Sequence, residues 1–293
     1  MRICSLLPSG TEIVAALGLV DALVGVSYEC DFPPAVKEKP IVVNTRLPEA
    51  AAPGEIDALV REYLSRGESL YKIEGDVLRK GEPDLVVTQE LCNVCAATPY
   101  DLASALSGLA VQPRVLSLHP HRIEEVWNDI LAVGEATERQ DAARELVDGL
   151  RARIEAVEAF VAKADARPRV VCLEWTDPPM VAGHWVPEMV ALAGGVDVLG
   201  SPEKPSFRID WDSLLDAKPE VVVVMPCGYA LDQAAAEWRK TSVPTGSSSR
   251  VFAVDANSYF SRPGPRLANG VELLAHLLHP ELVRAVDGSV PLS

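Results

Sequence analysis

The stretch ERQDAARELVDGLRARIEAVEAFVAKADA, residues 138–166, limits what this chain can fold into more than any other. Leu146, Leu150, Ile154, Val157 and Val161 return every three or four residues, with Arg, Glu, Asp and Lys between them. That is the period of one amphipathic helix with a single apolar stripe. Arg167-Pro168 stops it. Nearly thirty helical residues would run about 43 Å at 1.5 Å each, longer than a small domain needs to cover one face of a sheet. The stretch lies at mid-chain, and each side has its own strands, helices and turn-rich loops. The expectation is an α/β protein of two lobes, residues 1–136 and 168–293, joined by a backbone helix over 137–167. A ligand would sit in the cleft between the lobes.

In the first part, apolar runs at Arg2–Leu7, Leu23–Ser27, Ile41–Asn44, Leu85–Thr88 and Arg114–Leu118 read as strands. Helical patterns fall between them, at Glu12–Leu17, Glu55–Ser65, Asp76–Lys80 and Tyr100–Leu109, and Ile123–Val133 leads into the central helix. Ser9 or Thr11 would cap the first helix. Alternation of this kind calls for a parallel-rich sheet. The second part repeats it, with strands at Arg169–Glu174, Glu220–Met225 and Val251–Val254 and helices at Pro187–Ala193, Trp211–Ala217 and Arg266–Leu278. Trp175–Trp185 and Asp255–Pro265 read as loops. One internal echo joins the halves: Lys80-Gly-Glu-Pro-Asp-Leu-Val-Val87 and Asp216-Ala-Lys-Pro-Glu-Val-Val-Val223 set a helix end, a proline, an acid and an apolar strand in one order.

At 293 residues, 48% of them apolar, the chain can bury two cores. Its net charge of −15 opposes phosphate backbones and anionic membrane surfaces, so nucleic acid is not an expected partner. No apolar run approaches the roughly 20 residues that cross a bilayer. The short run Ile3–Leu7 before Pro8 is too brief for a signal-peptide core. A cytoplasmic place is therefore expected, and a periplasmic or surface-anchored one only if a leader had been removed. Six cysteines do not form a secreted disulfide framework at this length.

Ligands of open parallel sheets bind beyond the carboxyl ends of the strands. Tyr28, Glu29, Cys30, Gln89, Cys92 and Cys95 occupy such loops in the first part. Trp175, Asp177, His184, Trp185, Tyr229, Tyr259, Phe260 and Arg262 do so in the second. With only five Trp, six Tyr and five Phe in the chain, this gathering suggests a broad, flat, largely apolar ligand held by a few polar contacts. Cys92-x-x-Cys95 reads three ways: a redox pair, half of a metal site with Cys30 or His184, or plain loop packing. His119 and His121 flank Pro120 and read as a turn. Asp76 and Asp212 stand where helices begin and read as caps. No phosphate loop, G-x-S-x-G or G-x-G-x-x-G occurs, and no base neighbours a nucleophile, so an enzyme is not expected.

Several motifs together resemble one family. Pro8-Ser9-x-Thr11-Glu12, Val26-Ser27-x-x-x-Asp31-x-Pro33, Pro83-Asp84-Leu85-Val86, Asp177-Pro178-Pro179 with Gly183, Ala193-Gly194-Gly195 and Arg262-Pro263-Gly264-Pro265-Arg266 occur in the order found in the helical-backbone, class III periplasmic binding proteins. The branch most resembled is the one that binds vitamin B12 (cobalamin), and the resemblance covers almost the whole chain. It implies two Rossmann-like lobes, a corrinoid as ligand and no enzymatic activity. It also implies Arg262 as a ligand contact, and Asp76 and Asp212 as the acids that dock on an ABC permease. Gln89 stands where a cobalamin binder stacks a tryptophan, and the thiols of Cys30, Cys92 and Cys95 are foreign to the transport pattern. These departures point to intracellular handling of a corrinoid. Two alternatives stand beside it: a receptor for an iron chelate, haem or metal through cleft Cys and His residues, and a thiol-dependent corrinoid-processing enzyme.

Overall fold

The computed structural model describes residues 1–48, 51–89, 99–241 and 249–292. The chain divides into two units, Met1–Pro120 with Glu125–Val147, and His121–Glu124 with Asp148–Ser293.

The first unit holds strands β1 (Ile3–Ser5), β2 (Leu23–Ser27), β3 (Ile41–Thr45), β4 (Tyr71–Ile73), β5 (Leu85–Gln89) and β6 (Arg114–Leu118). They form one sheet in the order β4-β3-β2-β1-β5-β6, parallel except for the edge strand β4. Its helices are α1 (Pro8–Ala16), α2 (Pro53–Ser65), α3 (Gly75–Gly81) and α4 (Pro99–Leu106), followed by α5 (Ile123–Ala136). Every residue of β5 is buried, as its unbroken apolar run demands of a strand covered on both faces. Cys4, Val42, Val43 and Val86 pack in one cluster with Leu78 of α3 and Leu102 and Leu106 of α4. Helix α1 starts at Pro8, not at Glu12, and no side chain caps it. Proline at the first helical position needs no partner for its missing N–H, and the Thr11 hydroxyl is instead 3.1 Å from the Cys30 sulfur.

Helix α6 (Gln140–Val161) is the predicted central helix, continuous for 22 residues or about 33 Å. It is shorter than the periodicity suggested at both ends. Glu138 takes φ 59° and separates it from α5. The two helices approach so closely there that a Cβ on Gly134 would lie 2.4 Å from that of Ala143. At the far end the backbone of Gly194, at φ 81°, presses on Val161.

The second unit holds β7 (Arg169–Thr176), β8 (Pro179–Val181), β9 (Val196–Asp197), β10 (Phe207–Arg208), β11 (Val221–Val224), β12 (Arg250–Val254) and β13 (Ser289–Pro291). Its sheet runs β10-β8-β7-β11-β12-β13, with β9 also on β7, and β7, β11 and β12 are parallel. Helices α7 (Val186–Leu192), α8 (Trp211–Asp216), α9 (Leu231–Lys240), α10 (Ala256–Tyr259) and α11 (Leu267–Leu278) complete it. Val171, Leu173, Val222 and Val224 pack on Leu214 of α8 and Trp238 of α9. Both expected loops contain structure: Pro179–Val181 folds back on β7 as a strand, and residues 256–259 form α10, capped by the Asp255 carboxylate on the Ser258 N–H at 2.9 Å. Asp177-Pro178 supplies the tight turn that the hairpin needs.

The internal echo extends to hydrogen bonds. The Arg2 N–H donates to the Asp84 carboxylate at 2.6 Å, and the Arg169 N–H donates to that of Glu220 at 2.9 Å. The N–H groups of Asp84 and Glu220 return bonds to the carbonyls of Arg2 and Arg169, each at 2.8 Å. Arg114 and Arg250 then donate to the carbonyls of Asp84 and Glu220, each at 2.9 Å. In both units, therefore, one acid just before a strand ties the two strands beside it into register. Just before each acid, Glu82 and Lys218 adopt positive φ ahead of a proline.

Candidate functional site

In the first unit the carboxyl end of β1 runs straight into α1, and a Cβ on Gly10 would meet Val87 at 2.8 Å and the Ser5 hydroxyl at 2.9 Å. This close seat brings Thr11 to Cys30, which is buried. Cys30 is thus part of the packing beneath the strand ends. Tyr28 is 40% exposed, and its hydroxyl lies 3.1 Å from a Glu29 carboxylate oxygen, to which it donates. Burial and that neighbouring carboxylate push the phenol above its ordinary range. Gln89 ends β5 and is buried. Cys92 and Cys95 lie outside the described residues.

In the second unit three strand-end loops are laced together. The Cys227 N–H donates to the Glu174 carbonyl at 3.0 Å, the Gly228 N–H to the Ser261 hydroxyl at 3.1 Å, and the Asn257 N–H to the Tyr229 carbonyl at 3.0 Å. Trp175 and Tyr229 stand at the ends of β7 and β11, their rings edge to face with centroids 5.6 Å apart. Both are half-buried, and Cys227 between the strand ends is exposed. The indole N–H of Trp175 donates to the Asp177 carbonyl at 3.0 Å, which fixes the ring while the Asp177 side chain faces solvent. Burial, then the charge of Glu237, push the Tyr229 phenol up.

The other expected aromatics are placed differently. Trp185 is 5% exposed and donates its indole N–H to the Phe260 carbonyl at 2.8 Å, and Phe260 is itself buried. They pin α7 to α10 as core. Tyr259 lies over Gly288, where a Cβ would come within 2.6 Å of the ring. Arg262 is buried at the end of the same loop. Its sequence neighbour Ser261 is the residue that reaches back to Gly228.

His184 takes φ 52°, its N–H donates to the Lys204 carbonyl at 2.6 Å, and its own carbonyl accepts from the Glu203 N–H at 3.0 Å. Gly183 before it is hemmed by backbone alone: a Cβ would sit 2.3 Å from the Lys204 oxygen. The His184 ring meets that of His121 edge to face at 5.8 Å. Burial first, then His121, lower its pKa, so it stays neutral at physiological pH. His121, read from the sequence as a turn residue, and Cys227, read only as loop, are the side chains at these strand ends that the sequence did not mark. Asp76 and Asp212 are both exposed and each is the second residue of its helix, α3 and α8. Asp76 pairs with Arg79.

Residues 3–257 match the family described as periplasmic binding protein. The chain belongs to that family. Binding proteins of this kind hold solutes and do not transform them, so the thiol-enzyme alternative falls away. Among curated relatives, the vitamin B12-binding protein of Vibrio cholerae serotype O1 is 24% identical over 274 residues, covering 92% of this chain and 86% of its own. That of Yersinia pestis is 23% identical over 269 residues, covering 91% and 82%. Solved structures share the fold. The periplasmic heme-binding protein RhuT from Roseiflexus sp. RS-1 superposes with TM-score 0.72 at 22% identity, over 96% of this chain and 98% of that one. The vitamin B12-binding protein BtuF of Vibrio cholerae gives 0.66 at 22%, over 95% and 96%. Among the described residues no helix of this binding protein is long and apolar enough to cross a membrane.

Proposed function

We propose that this binding protein is a receptor for cobalamin or a related corrinoid, taken up on the strand-end loops. The observation that carries the reading is the Trp175–Tyr229 pair, two half-buried rings inclined at 73° at adjacent strand ends, the indole braced by a hydrogen bond to the backbone. A corner of this kind suits one face and one edge of a large flat macrocycle with amide side arms. Exposed Asp177 supplies a polar contact beside it, and in the first unit Tyr28, bonded to Glu29, supplies another. Relatives named for vitamin B12 binding, matched over nine-tenths of the chain, support the same ligand class.

Incubation with hydroxocobalamin followed by desalting should leave the protein red with one equivalent bound. A colourless protein with no calorimetric signal overturns the proposal. The second reading, haem or an iron chelate, is favoured by His184, whose neutral imidazole suits an iron centre. Hemin titrated in parallel would then bind tighter than the corrinoid. Asp76 and Asp212 are proposed to dock on arginines of an ABC permease. Replacing both by lysine should leave corrinoid affinity unchanged while abolishing binding to the permease in nanodiscs. The similar solved proteins RhuT and BtuF are periplasmic, which favours a periplasmic place over the cytoplasmic one expected from the sequence.

A further inference from the structure

We propose that a second copy of this chain docks on the outer edge of β6, the two strands pairing antiparallel about a two-fold axis so that two first-unit sheets become one. This interface is independent of the corrinoid reading. Strand β6 ends its sheet, and among the described residues no strand covers its other edge. Such an edge is a template for another strand unless charge, proline or a bulge blunts it. None of these interrupts Val115-Leu116-Ser117, whose register with β5 is unbroken, and Val115 is 43% exposed.

Few backbone groups on this edge are open to a partner. The Arg114 N–H donates inward, to the Asp84 carbonyl at 2.9 Å, and β5 and β6 run parallel with Leu85 beside Arg114 and Gln89 beside Leu118. In a parallel ladder a strand bonds one neighbour through alternate residues. Arg114, Leu116 and Leu118 therefore face β5, while Val115 and Ser117 turn both N–H and C=O outward. Pro113 has no N–H, and that of His119 donates to the Asp129 carboxylate. Among antiparallel registers only the one centred on Leu116 uses every remaining outward donor. In it, Val115 exchanges two hydrogen bonds with the second copy's Ser117, and Ser117 does the same with the second copy's Val115.

The charges on the edge fit the same register. Arg114 of one copy lies opposite Leu118 of the other, one residue from the His119 amide that Asp129 accepts. Glu125 stands one helical turn before Asp129 on α5, and its charge acts on it. Oδ2 of Asp129 has no hydrogen-bond partner among the described residues, which leaves that carboxyl group short of donors. Each copy thus carries an exposed arginine at one end of the edge and an acidic pair at the other. A two-fold axis brings unlike groups together at both ends, whereas an unrelated strand has no reason to match them.

The test is sedimentation equilibrium of the full chain without added ligand. At high micromolar concentration the mass should rise toward twice the 31.5 kDa of one chain. Arg114→Glu sets acid against acid at both ends and leaves every backbone group in place, so it should weaken the dimer by about tenfold or more, and adding Glu125→Arg should restore it. Leu116→Cys puts two thiols across the axis at a non-hydrogen-bonded pair, where Cα atoms are about 4.5 Å apart and a disulfide fits. Mild oxidation should then give a bond between the two 116 positions, identified by peptide mass spectrometry, and Val111→Cys should give none between the 111 positions. A single chain mass at every concentration, an Arg114→Glu variant that associates like the parent, no recovery with Glu125→Arg, or no bond at position 116 would each overturn the proposal.

Discussion

Two tryptophans ten residues apart should fail in opposite ways when replaced. Trp185 is buried, and its indole N–H is bonded to the Phe260 carbonyl at 2.8 Å. Trp185→Phe orphans that carbonyl, at about 1–3 kcal/mol. It also opens about 40 Å³, which at 24 cal/mol per Å³ adds about 1 kcal/mol. The expected loss is about 2–4 kcal/mol, and with a urea m-value of about 2–3 kcal/mol/M the unfolding midpoint should fall by about 1 M. Trp175 is half-buried, and its bond to the Asp177 carbonyl lies where water can replace it. Trp175→Ala should therefore move the midpoint by less than about 0.5 M. It should weaken hydroxocobalamin binding by about 2 kcal/mol, or roughly thirtyfold in Kd, through lost ring contact. Urea melts followed by far-UV circular dichroism and calorimetric titrations read the two effects separately. The assignment of core and ligand wall is refuted if Trp185→Phe unfolds at the original midpoint, or if Trp175→Ala binds as tightly as the parent protein.

Three further outcomes are expected. Gly183→Ala sets a Cβ 2.3 Å from the Lys204 oxygen and 2.6 Å from the Pro205 carbonyl carbon, contacts with backbone that cannot rotate away, so it should cost about 1–3 kcal/mol in a urea melt. Asp129 is pushed up to about 7 by burial and by the charge of Glu125, against the His119 N–H that donates to it. The fold therefore holds more protons than the unfolded chain between about pH 4 and 7, and stability falls as pH rises through that window. Asp129→Asn keeps an acceptor for His119 and should flatten that slope and raise the midpoint at pH 8. Arg153 forms a bidentate pair with Glu272 at 2.8 and 2.7 Å, joining α6 to α11 within the second unit, and its side chain is 39% exposed. Arg153→Ala should cost only about 1 kcal/mol, with the loss shrinking at high salt.

Local pattern carried the architecture where the pattern had one physical cause. Leu23–Ser27 and Arg114–Leu118 are strands at the very residues expected, because each is a run of good strand formers with punctuation on both sides. Helix α9 escaped notice because its inward face is only Ala234, Ala235 and Trp238, too little contrast for a 3.6-residue period to register. Strands β4, β10 and β13, two or three residues each at sheet edges, exist through their partners and have no signal of their own. The same division governs the site. That ligand chemistry belongs at the carboxyl ends of the strands follows from parallel topology, which the alternation of elements revealed. Which aromatic faces outward does not follow, since Trp175 and Trp185 are one residue type in one short segment and only their packing separates them. His121 is the sharpest case. Beside Pro120 it has every local mark of a turn, and its partner ring arrives from Gly183-His184 only because Glu203 and Glu188 hold the two segments together. Composition and period can thus say where a site forms, but a pair made by long-range bracing becomes visible only when the bracing residues are in place.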